Sequence, residues 1–104
     1  MQLIPLLSLP NQSITLSLGG VNWEINIKLA NTVMVIDVIR DDIVLVQGAR
    51  LLADMPVLPY QYQEAFGNFI LLSENEELAD WNRFELDQTF IYLSPAELAS
   101  VADA

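Results

Sequence analysis

The sequence predicts an all-β protein: a small β-barrel or curled antiparallel sheet carrying a short C-terminal helix. Three observations carry that expectation. Apolar and polar residues alternate through ITLSLGGVNWEINIKL. A second run, VMVIDVIRDDIVLVQG, is strand-like on both sides of a two-residue break. Strand-sized apolar runs then recur as GNFILLS and FIYL. β-Branched and aromatic residues dominate these runs and turn residues bound them. At 104 residues the chain is expected to form one domain, 1–104, with a modest core.

The first hairpin turns at Gly19-Gly20, because glycine supplies the positive φ of a primed two-residue turn. Folding about it opposes Leu18 to Val21, Leu16 to Trp23 and Ile14 to Ile25. Every apolar side chain then falls on one face and Thr15, Ser17, Asn22, Glu24, Asn26 and Lys28 on the other. Pattern and register agree, so this hairpin is one-sided.

The second hairpin is apolar on both faces. With Asp41-Asp42 as its turn, Val33, Val35 and Ile39 share a face with Val44 and Val46. Met34, Ile36 and Val38 share the other with Ile43 and Leu45. Burying five such side chains stabilises by roughly 8–15 kcal/mol, comparable to the whole net stability of a typical domain, about 5–15 kcal/mol. Neither face is therefore expected to stay in water. One cover is a closed barrel with the C-terminal segment or residues 51–81 laid over it. The other is a neighbouring chain, which the short length favours. A homo-oligomer follows, with Met34, Ile36, Val38, Ile43 and Leu45 as candidate subunit-interface residues.

Beyond Gly48, Pro56 and Pro59 exclude a central strand and leave an irregular connection or sheet edge. Gly67–Ser73 reads as a strand, ENEELADWNRFEL as an acidic loop with at most one helical turn, and Asp87–Ser94 as the last strand. SPAELASVADA begins a short helix. Ser94 as N-cap, Pro95 at the first helical position and Glu97 two residues on make a capping box.

The chemistry is defined largely by what is missing. Fourteen acidic residues against four basic ones give a formal charge of −10, which repels phosphate and anionic lipid, so neither specific nucleic-acid binding nor membrane association is expected. No apolar stretch has the length of a spanning helix, and MQLIPLLSLP lacks the basic start of a signal peptide. With no cysteine there is no disulfide or thiolate site; with no histidine the commonest general base and nitrogen ligand are gone. Glu74, Glu76, Glu77 and Asp80 could hold calcium, but they lack the spacing of an EF-hand loop, and a solvated loop accounts for them equally well. Asp37, alone in an apolar strand, is either a functional carboxylate with a raised pKa or the partner of a cation or subunit contact. Trp23 and Trp81 read as core anchors, and Asn11-Gln12-Ser13 as a chance sequon. No catalysis, cofactor or metal is expected.

The order of features resembles the baseplate plug proteins of contractile-tailed bacteriophages, including a cyanophage baseplate plug. A short strand, MQLIPL, leads to LPNQSITLSLGGVNWEINI. The two-sided pair VMVIDVIRDDIVLVQG follows, then DMPVLP and the aromatic-Gly segment YQEAFGNFILLS. An acidic loop and the Arg-Phe pair NRF precede the closing strand FIYL. This chain departs in having Asp80-Trp81-Asn82 before that pair, extra residues after Phe84 and a longer tail. The resemblance implies a non-enzymatic virion protein of the tail baseplate, made in the host cytoplasm. It implies a position on the axis between tail tube and hub–spike, in several copies forming a ring, with hub, spike and tail-tube proteins as partners. The competing reading is an acidic inhibitor or DNA mimic acting on a host nuclease. That reading needs carboxylates at phosphate spacing on one face, whereas Glu24, Asp41-Asp42 and Glu74 to Asp80 are scattered along the chain.

Overall fold

The computed structural model describes residues 2–58, 66–74, 79–84, 86 and 88–102. Strand β1 (Gln2–Ile4) comes first. β2 (Gln12–Leu18) and β3 (Val21–Ala30) pair about Gly19-Gly20, whose φ angles of 64° and 81° are those a primed turn needs. Their register is the one the alternation demands: Leu18 opposite Val21, Leu16 opposite Trp23, Ile14 opposite Ile25. β3 then turns straight back into β4 (Val33–Arg40) through Asn31-Thr32, with Asn31 at φ 63°, a left-handed conformation that Asn tolerates. β5 (Ile43–Arg50) follows through Asp41-Asp42, at φ 48° and 69°. The Asp41 carboxylate accepts from the Asn22 amide at 2.9 Å, and its own amide donates to the Asn22 carbonyl at 2.8 Å. The product is a four-stranded meander in the order β2-β3-β4-β5.

The remaining strands, β6 (Asn68–Ser73) and β7 (Gln88–Leu93), join β1 in a second antiparallel sheet of order β1-β7-β6. The Pro-containing stretch lies along the outer edge of β6, as expected of an edge segment. Asp54 and Val57 amides donate to the Leu71 and Phe69 carbonyls at 2.7 and 2.8 Å. Asn68, fully buried, grips the Leu58 backbone with both ends of its amide. A 3-10 turn, Trp81–Arg83, lies in the acidic stretch, capped by the Asp80 carboxylate. Helix α1 (Pro95–Ala102) opens on the expected capping box: Glu97 N–H donates to Ser94 Oγ at 3.3 Å, and Ser94 N–H donates to Glu97 Oε1 at 2.9 Å.

The two sheets are not closed into a barrel. Closure would need a ladder at both seams, but among the described residues the chain leaving β5 pairs with β6 through isolated bridges at Ala53 and Pro56. They stack instead. Trp23 of β3 stands edge-on against Phe69 of β6 with ring centroids 5.0 Å apart, and Phe69 lies flat on Phe90 at 5.5 Å. Trp23 is wholly buried and its indole N–H donates to the Leu18 carbonyl at 3.1 Å, so the polar atom of the largest core side chain is satisfied.

Candidate functional site

The two-sided hairpin was the sequence's main functional signal, and the structure divides it. Met34, Ile36 and Val38 are 3%, 1% and 0% exposed and belong to the chain's own core. They are therefore not available to a neighbouring subunit, contrary to expectation, because the second sheet covers this face. Of the five candidate interface residues, Leu45 is half-buried against the same core, and Ile43, beside the turn, is 65% exposed.

The opposite face is smaller than the alternation predicts. Ile39 opposes Val44, but Val38 opposes Val46 and Ile36 opposes Ala49, so β5 carries extra residues at two points. An added residue reverses the inside–outside parity of a strand. Leu45 and Val46 both pack on the core, and Val46 is lost from the face it was expected to share with Val33, Val35 and Ile39. Those three are half-buried, leaving Val44 the exposed apolar residue of the outer side.

Asp37 lies on this outer face and is nearly buried. Its Oδ1 accepts from the Gly48 amide at 2.6 Å, and its Oδ2 pairs with Lys28 Nζ at 3.0 Å. The Gly48 hydrogen bond is the chief cause of a pKa below the usual carboxylate value; Lys28 adds to it, and burial opposes it less strongly. Asp37 is thus an ionised clamp on the bulge, not a carboxyl with a raised pKa. Lys28 stands opposite Val35 in the register, so its stem crosses the apolar face on the way to Asp37 and shields part of it.

At the turn end of the meander, the Arg40 guanidinium lies 4.9 Å from the Phe66 ring centroid and 5.7 Å from that of Trp23. The Tyr92 hydroxyl donates to the Phe66 carbonyl at 2.6 Å, and burial raises its pKa. Sequence reasoning overlooked the outer face of the second sheet. There Leu3 is 62% and Leu72 39% exposed, whereas Ile91, which opposes both Leu3 and Ile70, is 3% exposed. The available signal was consecutive apolar residues in FILL and FIYL, the same signature that marked VMVI.

Of the acidic candidates, Glu76 and Glu77 lie outside the described residues. Glu74 is exposed, and Asp80 Oδ1 accepts from both nitrogens of Asn82 at 3.0 and 3.2 Å. Among the described residues no three His, Cys, Asp or Glu side chains converge, and no helix is long and apolar enough to cross a membrane. Trp81 is half-buried at the edge of the core, unlike Trp23.

Residues 1–96 match the family model described as cyanophage baseplate Pam3 plug gp18. The chain belongs to this family. The match runs from the first residue through β7 and ends inside the first turn of α1. Comparison with curated proteins gives no match. Baseplate plugs are structural phage proteins, so membership implies a location in the virion's tail baseplate and association with other baseplate components.

Proposed function

We propose that the protein sits on the axis of a contractile-tail baseplate, between the tail tube and the hub–spike complex, and helps to close or connect the tube until contraction. The observation that carries this reading is the family match over nearly the whole chain. Charge supports it: a protein with a formal charge of −10 at a tube mouth repels DNA phosphates and lets nucleic acid pass without capture. Surface apolarity supports it too. Leu3 and Leu72 on one sheet, and Ile43 and Val44 on the other, are apolar contacts for neighbouring baseplate proteins. Mass spectrometry of purified particles should find this chain, and cryo-electron microscopy of tails should resolve a small β-sandwich on the axis below the tube. Particles that contain every other tail protein but not this one would overturn the proposal, as would density for the chain at the baseplate periphery.

A further inference from the structure

A groove of about 430 Å³ opens at the end of the meander remote from Asp41-Asp42, beside the Asn31-Thr32 turn. Leu29, Met34, Leu51 and Trp81 contribute its apolar walls, and Arg50, the last residue of β5, lines it as well. Lys28 is committed to Asp37 and Arg40 lies over two aromatic rings, whereas the Arg50 side chain makes no ion pair or hydrogen bond among the described residues. Asp80 also lines the groove, but its Oδ1 is engaged by Asn82 and it forms no ion pair with Arg50. An uncompensated guanidinium beside an apolar hollow, in a protein so rich in acid, calls for a ligand that brings a carboxylate and an aliphatic group together.

The chain carries such a ligand at its other end. Asp42 is exposed and without a partner among the described residues, and it adjoins Ile43, which is 65% exposed. We propose that the β4–β5 turn of a second copy docks in this groove, with its Asp42 pairing with Arg50 and its Ile43 entering between Leu29 and Trp81. Groove and turn are separated by the length of an eight-residue strand, roughly 25 Å, so one chain cannot satisfy itself. The contact joins unlike surfaces, either reciprocally in a pair or successively around a ring. It does not rest on the baseplate reading and is testable on the purified protein alone.

Sedimentation velocity across a concentration series should show reversible self-association. Arg50→Glu and Asp42→Lys should each weaken it by about tenfold or more, because like charges then face one another. An equimolar mixture of the two variants should associate again through contacts between unlike variants, each of which has opposite charges. Asp42→Asn keeps a residue suited to positive φ, so it tests the charge without disturbing the turn; it should weaken association with an unchanged melting temperature. A wild-type chain that stays monomeric throughout would overturn the proposal. So would association indifferent to Arg50 and Asp42, which would point to a sheet edge or the Leu3 face. Loss in Arg50→Glu with no loss in either Asp42 variant would overturn the turn as the occupant.

Discussion

Asp37 is the residue whose chemistry the fold constrains most tightly. It accepts the amide of a glycine that reverses strand parity and holds a lysine across an apolar face. Removing it in Asp37→Ala should cost about 1.5–3 kcal/mol, the usual worth of hydrogen bonds to a charged group, measured by urea unfolding above pH 6. The pH dependence follows from the direction of its shift. A carboxylate whose pKa is depressed in the folded state stabilises fully above its unfolded value, near 3.8. That contribution is lost as pH falls through the lower, folded value. The stability gap between wild type and Asp37→Ala should accordingly be constant near neutrality and close below pH 3.8. A gap that widens on acidification would mean that the carboxyl is stabilised protonated. Trp23 is the other decisive single residue. Its burial, edge-on contact with Phe69 and satisfied indole predict a loss of about 3–5 kcal/mol for Trp23→Ala; a loss under about 1 kcal/mol would contradict the packing.

At the scale of elements, the two hairpins differ in how much of them was legible. In β2–β3 the turn and the alternation specify the same register, and each alone would suffice. In β4–β5 apolar residues occupy both parities, so alternation cannot report a slipped residue, and the two irregularities in β5 went unseen. Gly48 was the readable sign, since a glycine inside a strand marks a bulge. It sits at φ 64° with open space where a Cβ would go. Gly48→Ala should therefore cost only the left-handed penalty, about 1–2 kcal/mol, while Gly48→Asn should cost less. Equilibrium denaturation of both variants checks this, and an alanine more costly than 3 kcal/mol would mean a steric clash that the structure does not have. The same ambiguity explains the interface residues. Which side of a two-sided strand faces inward depends on where the other sheet lies, and residue spacing along β4 carries no information about that. The capping box of α1 was legible because both of its hydrogen bonds are local.

The whole molecule is a four-on-three β-sandwich with a formal charge of −10. The β class was readable, but the choice of open stacking over closure was not. It depends on whether the stretch between β5 and β6 bridges the seam, and Pro56, which has no amide to donate, keeps it an edge segment there. The charge has a consequence for stability that can be separated from assembly. Fourteen acidic side chains on a 104-residue chain repel one another more in the compact state than in the expanded one, and only four bases offset them. Raising sodium chloride from about 0.01 M to about 0.15 M shortens the Debye length from roughly 30 Å to roughly 8 Å. That screens repulsion between distant surface carboxylates while touching the nearly buried Asp37 clamp far less. The melting temperature of dilute, monomeric protein should therefore rise over this range and then level off. The difference in self-association between wild type and Asp42→Asn should shrink over the same range, because the attraction it isolates is between exposed opposite charges. Scanning fluorimetry at low concentration and sedimentation at high concentration read the two trends separately. A melting temperature that falls with salt would show that attractive pairs dominate the surface, leaving the acidic excess with no destabilising effect.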